Sequence, residues 1–181
     1  MKYPTIFHLI SETFDKAGIS AVLIGGFAVN YYKVTRQTAD IDFLTTKEDF
    51  EKAMTLLEEA GYEKDYIQEN FARLKGSPFY LMYIDFVFVD KDTFEKVFKG
   101  GKTMTIAGRK FTVPSVEHLI ALKLHSIKNN PKLRENKDMA DIVELIGVNK
   151  IEVRKDSFRD LCLKYGNKEL YDKILERCEN A

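Results

Sequence analysis

The run Asp40-Ile-Asp-Phe-Leu constrains this chain more than any other segment. Its alternation has period two. In a strand, Asp40 and Asp42 project from one face, and Ile41 and Phe43 from the other. One face must then join an apolar core while the opposite face carries paired carboxylates, their Cβ atoms roughly 6–7 Å apart. Two acids held that close repel each other, and a bound cation removes the repulsion. Taken alone, an Asp-x-Asp also suits a solvent-facing edge strand. A second run narrows the choice. Met82-Tyr-Ile-Asp-Phe-Val-Phe-Val has Asp85 as its one charge. A charge in such a run faces a cleft or pairs with a buried Arg or Lys. If its strand lies beside the Asp40 strand, Asp85 completes a cluster of three carboxylates. Such a cluster can hold two divalent cations roughly 3.5–4 Å apart for in-line phosphoryl chemistry. Hard oxygen ligands favour Mg²⁺, or Mn²⁺. Asp85 is then a shared ligand or the base that activates an acceptor hydroxyl.

Upstream, Ala21-Val-Leu-Ile reads as a short buried strand that runs into Gly25-Gly26, with a helix over Phe27–Tyr32 that starts at the glycines. Glycines at a strand-to-helix turn let backbone amides approach phosphate oxygens closely. Many turns use Gly-Gly, but here Asp-x-Asp follows on the next strand. Arg36 and Thr38 lead into the carboxylates. Arg36 is a candidate countercharge for a triphosphate, or else the partner of a nearby acid. Thr38 is a candidate to position Asp40.

The remaining pattern is mixed. Ile6, Phe7, Ile10, Phe14 and Ala17 share one face of a predicted helix over residues 4–17, which Gly18 ends. Thr46 caps a helix to Ala60, with Phe50, Ala53, Met54 and Leu57 as its apolar face. Strands are predicted over 71–74 and 81–89, joined through Gly76-Ser77-Pro78. A hairpin turns at Ala107-Gly108-Arg109. After Pro114 the pattern becomes helical, over about 115–129, 135–146, 151–165 and 167–178. Asn129-Asn130-Pro131 and Gly147 mark the breaks. The fold class is therefore α+β: a small mixed sheet flanked by helices over 1–114, then a helical part over 115–181.

In the helix after Ser115, Lys123 falls within the stripe formed by Val116, Leu119, Ile120, Leu124 and Ile127. It either snorkels at the edge or reaches a partner, and phosphate is one such partner. Asp138 and Asp141 sit at i and i+3 on the next helix. They orient Lys123, bind nucleotide, or form an exposed acid pair.

Composition excludes several classes. Lys plus Arg equals Asp plus Glu, at 28 each, so no basic field coats nucleic acid non-specifically. The charge is unevenly spread. Asp40 to Glu69 is acidic, with only Lys47, Lys52 and Lys64 as bases, whereas Lys91 to Lys110 is basic apart from Asp92 and Glu95. Cys162 and Cys178 have neither zinc spacing nor a disulfide framework, and His8, His118 and His125 are scattered. No run approaches the ~18 apolar residues of a membrane span. The start, with Pro4 before an amphipathic pattern, is unlike a signal peptide, so a cytoplasmic location without membrane partners is expected.

Leu23-Ile-Gly-Gly-Phe-Ala-Val, Arg36-Gln-Thr-Ala-Asp-Ile-Asp-Phe and Tyr83-Ile-Asp-Phe together resemble the DNA polymerase β-type nucleotidyltransferase superfamily. The resemblance covers residues 20–90 well and 115–146 more loosely, and is nearest to the minimal or AbiEii-toxin-like branches. It implies a phosphate loop at Gly25-Gly26, metal on Asp40, Asp42 and Asp85, and an NTP substrate. Many members have Gly-Ser where this chain has Gly25-Gly26, so Gly26 would act through its backbone only. The toxin-like relatives have a helical lysine, then a basic turn and an Arg/Lys-Asp-x-x-Asp segment. Here those positions are Lys123, Arg134 and Lys137-Asp138-Met-Ala-Asp141, which implies nucleotide contacts by Lys123 and Asp138. The implied reaction moves a nucleoside monophosphate to a hydroxyl or phosphate of an acceptor: tRNA, protein or a small molecule. Alternatives are a toxin–antitoxin-type enzyme acting on tRNA or protein, and a binding module that has lost catalysis.

Overall fold

A computed structural model describes residues 3–77 and 81–180. The chain gathers into two compact units, Met1–Ala28 with Arg36–Ser115, and Val29–Thr35 with Val116–Ala181.

The first unit is built on a mixed sheet. Its strands are β1 (Val22–Leu23), β2 (Asp40–Thr45), β3 (Tyr62–Ile67), β4 (Phe71–Gly76), β5 (Tyr83–Phe88), β6 (Lys102–Ile106) and β7 (Arg109–Val113), in the order β3-β4-β5-β2-β1-β7-β6. β2 and β5 run parallel, with Asp42 opposite Asp85 and Phe43 opposite Phe86. Ile41 and Phe43 on β2, and Ile84 and Phe86 on β5, alternate with the acids, so the phenylalanines share the face away from them. Helices α1 (Ile6–Ala17) and α3 (Lys47–Glu59) cover that apolar face. The Phe14 ring meets Phe43 edge-on at 5.1 Å, and Phe50 meets Phe86 at 5.1 Å. Phe43, Phe86, Ile41, Ile84 and Leu74 are completely buried. Local signals start and stop the helices as the sequence suggests. Thr5 and Thr46 cap α1 and α3 by accepting backbone N–H bonds from His8 and Asp49, and Gly18 ends α1 in the left-handed region at φ 63°.

Two elements of this unit lie outside the sequence expectation. β3 is an edge strand whose residues after Tyr62 are exposed, so Glu63, Lys64 and Asp65 carry no apolar alternation to read. Helix α4 (Lys91–Lys99) occupies part of the basic segment. Asp90 caps it through the Thr93 N–H, and Phe94 and Val97 are its buried residues. The turn predicted at Gly76-Ser77-Pro78 reaches Pro78, which lies outside the described residues. β4 and β5 do pair antiparallel on either side of it.

Helix α2 (Gly25–Tyr31) starts at the glycines, as the sequence suggests, and ends one residue short of Tyr32. The second unit takes its last residues and the helices α5 (Val116–Asn129), α6 (Pro131–Asn149), α7 (Asp156–Tyr165) and α8 (Lys168–Glu179). α6 is longer than its pattern suggests at both ends. Pro131 stands in its first turn, where a missing N–H costs nothing. Gly147 does not break it, because a helical glycine costs only about 1 kcal/mol and Leu145 and Ile146 are buried beside it. The helix ends instead at Lys150, in the left-handed region at φ 53°. Residues 151–155 precede α7 as a turn rather than as its first residues. Burial pushes the Cys162 thiol up to about 12, as befits a packing residue. Among the described residues, no helix is long and apolar enough to cross a membrane.

Truncating Phe86 removes an aromatic side chain that touches Phe14, Phe43 and Phe50. Phe86→Ala is expected to lower the unfolding free energy by about 3–5 kcal/mol in urea titration. A loss below about 1 kcal/mol would contradict its place at the centre of the core.

Candidate active site

The face of β2 and β5 opposite the phenylalanines carries Asp40, Asp42 and Asp85. One carboxylate oxygen from each lies within 4.8 Å of the others. The conditional expectation for Asp85 is thus met: its strand lies beside the Asp40 strand, in register with Asp42. Asp85 is 3% exposed. Asp40 and Asp42 are half-buried. Three hard anionic donors converging at this distance suit a divalent cation of the Mg²⁺ or Mn²⁺ kind.

The glycine turn is pressed against these acids. Gly25 has φ +61°, and a Cβ placed on it would come within 1.9 Å of Asp42 Oδ2. Both the backbone conformation and the space therefore demand glycine. A Cβ on Gly26 would lie 2.6 Å from Thr38 Cβ. Thr38 in turn donates its hydroxyl toward Asp40, with Oγ1 3.0 Å from both the backbone oxygen and Oδ1. Thr38 thus orients Asp40, and the turn, the threonine and the acids form one packed assembly. Arg36 stands two residues before Thr38, half-buried and engaged in interactions of its own.

Sequence reasoning raised an arginine or lysine partner for Asp85 without naming one. The structure supplies Arg73. Its Nε and one terminal nitrogen donate to the two oxygens of Asp85 at 2.8 and 2.6 Å, a two-pronged pair across β4 and β5. The same guanidinium lies 3.9 Å from Asp40 Oδ2 and 5.6 Å from the centre of the Tyr83 ring. Its bonds to Asp85 strengthen the protonated form of Arg73. The signal was present in the sequence: in Phe71-Ala-Arg-Leu-Lys, Ala72 and Leu74 alternate with Arg73, which places it on the acid-bearing face. It stayed unread because the register of β4 on β5 was unknown.

In the second unit, Lys123 is buried within α5, and its ammonium meets Asp138 Oδ1 at 3.0 Å and Asp141 Oδ2 at 2.5 Å. Both aspartates are buried, so they are not an exposed acid pair. Of the readings open to them, orienting Lys123 is the one this geometry displays. Arg134 belongs to the first turns of α6 rather than to a basic turn, and it is exposed. Tyr31 and Tyr32 meet edge to face at 5.0 Å. Burial, with Tyr31 and Glu117 nearby, pushes the Tyr32 hydroxyl up to about 12.

A mixed sheet with acids on adjacent parallel strands and a glycine turn against them defines the nucleotidyltransferase fold. The solution structure of the antibiotic-resistance factor ANT(2'')-Ia is similar, with a TM-score of 0.65, 15% identity, and coverage of 97% of this chain and 96% of that one. Its crystal structure with adenylyl-2''-tobramycin gives 0.65 and 16%, covering 88% and 94%. The lincosamide antibiotic adenylyltransferase LnuA with lincomycin gives 0.56 and 21%, covering 81% and 98%. Identities this low speak for the fold alone. A search of curated proteins finds no matching relative. Residues 3–180 match the family described as uncharacterised nucleotidyltransferase, and the chain belongs to that family. Membership of that family makes it a nucleotidyltransferase.

Two substitutions probe this geometry. Gly25→Ala is expected to displace Asp42 and weaken Mn²⁺ binding by roughly tenfold or more, while the circular dichroism spectrum stays unchanged. Unaltered Mn²⁺ affinity by calorimetry would contradict it. Lys123→Met leaves Asp138 and Asp141 buried without their cation and is expected to cost about 3–5 kcal/mol of stability. An unchanged melting temperature would show that the pair is dispensable.

Proposed function

We propose that the chain is a Mg²⁺-dependent nucleotidyltransferase that moves a nucleoside monophosphate from an NTP to an acceptor hydroxyl or phosphate. The observation that carries this reading is the convergence of Asp40, Asp42 and Asp85 beside a glycine turn that admits no side chain. Asp40 and Asp42 would hold the metal, with Asp85 as a further ligand or as the base. A divalent cation held there would offset phosphate charge and favour departure of pyrophosphate.

The protein's own groups account for the rest of the reaction. Gly25 and Gly26 offer backbone amides to the triphosphate, since neither carries a side chain that would bar close approach. Thr38 keeps Asp40 in the orientation its hydroxyl bonds define. When the acceptor is a hydroxyl, its oxygen forms a bond to the α-phosphorus as the bond to pyrophosphate breaks, and Asp85 takes the hydroxyl proton. Arg73 engages both Asp85 oxygens, but each oxygen has two lone pairs, so accepting ability remains. Arg36 is the candidate countercharge for the triphosphate. Lys123 and Asp138 are the nucleotide contacts that the family resemblance implies, and within the second unit Lys123 is held by Asp138 and Asp141. Residues 1–114 would then form the catalytic core, and 115–181 a helical part. A reaction drawing on the NTP pool suits a cytoplasmic protein.

One structural neighbour was solved with adenylyl-2''-tobramycin and another with lincomycin. Small hydroxylated antibiotics are therefore the first acceptors to test, beside tRNA and protein, which the sequence resemblance to toxin-like enzymes implies. The decisive variant is Asp42→Asn. It is expected to abolish Mg²⁺-dependent pyrophosphate release from NTP while the melting curve is retained. Undiminished release would overturn the assignment of the metal site. Nucleotide binding by the native chain without any pyrophosphate release, over long incubation with every acceptor class, would favour a binding module instead.

A further inference from the structure

Arg73 is the one group at the carboxylate cluster that the proposed reaction leaves without a task of its own. Its guanidinium lies across both oxygens of Asp85 and within 3.9 Å of Asp40 Oδ2. Asp85 is almost wholly buried, and the Tyr83 ring lies beside the arginine. A carboxylate engaged by both prongs of a guanidinium is held in orientation and charge. It is also less available to a cation, since the guanidinium's positive charge lies against the same two oxygens.

Charge counting sharpens the point. Asp40, Asp42 and Asp85 together bring three negative charges, and Arg73 returns one positive charge. A second divalent cation would have to approach Asp85 against an adjacent guanidinium, which is repelled at this range.

We propose, resting on the metal site described above, that Arg73 is a positioning residue that occupies Asp85 and limits the nucleotide-free cluster to one divalent cation, held by Asp40 and Asp42. The arginine takes the place a second cation would fill beside Asp85. Asp85 is thereby aimed for the acceptor rather than spent on metal. The effect depends on charge at this position, so lysine should preserve the count of bound ions even though it lacks the two-pronged geometry.

The test is Mn²⁺ binding to the full chain without nucleotide, counted by calorimetry and by electron paramagnetic resonance of the free ion. The native chain should bind one Mn²⁺. Arg73→Gln, which removes one unit of positive charge a few ångström from the acids, should bind a second ion or tighten the first by roughly tenfold. Arg73→Lys should keep the native count. An Arg73→Gln chain that folds, judged by circular dichroism, and binds Mn²⁺ with native count and affinity overturns the proposal while leaving the metal site intact. So does a native chain that binds two ions, an outcome that needs no variant to fold. Should neither the native chain nor Arg73→Gln bind Mn²⁺, the metal site itself falls, and this proposal with it. Asp42→Asn provides the reference for that loss.

Discussion

The parallel pairing of β2 with β5 is the constraint on which the rest depends. Setting Asp42 opposite Asp85 sets Phe43 opposite Phe86 at the same stroke. A slip of one residue on either strand would turn acids into the core and phenylalanines away from it, because side chains alternate with period two. The buried aromatic cluster of Phe14, Phe43, Phe50 and Phe86 therefore acts as a register lock for the carboxylates on the other face. Hydrophobic packing, which has no chemistry of its own, holds three charges together that would otherwise disperse.

That arrangement explains the neighbouring features. Three acids on one sheet face are costly without a countercharge. Arg73 supplies a permanent one from β4, and a divalent cation is the natural second. Gly25 is forced by the place Asp42 takes, and Gly26 by Thr38. The absence of side chains at the turn follows from the same crowding that fixes the acids. The second unit solves a related problem within itself: Lys123 is buried only in the company of Asp138 and Asp141. Among the described residues, every buried charge belongs to one of these two groups.

Much of this was legible in the chain because it depends on local period. The alternation at 40–44, the lone charge at Asp85, the Gly25-Gly26 turn and the misplaced Lys123 all announce themselves within a few residues. Helix caps at Thr5 and Thr46 did the same. What could not be read depends on long-range register or on exposure. Arg73 acquires meaning only once β4 is laid against β5. β3 is an exposed edge strand, so it needs no apolar alternation and shows none. Helix α4 hid in a run of lysines because Phe94 and Val97 alone anchor it. Gly147 misled for the opposite reason, a strong local signal absorbed by packing, whereas Asn129-Asn130-Pro131 does separate α5 from α6 and only the start of α6 lies earlier than its pattern suggests.

The most direct test of the central claim is a crystal soaked with Mn²⁺ and a non-hydrolysable triphosphate, with the metal located by anomalous scattering. The account predicts a peak liganded by Asp40 and Asp42, and triphosphate oxygens against the amides of Gly25 and Gly26. A metal bound elsewhere, or a triphosphate that avoids the glycine turn, would contradict it.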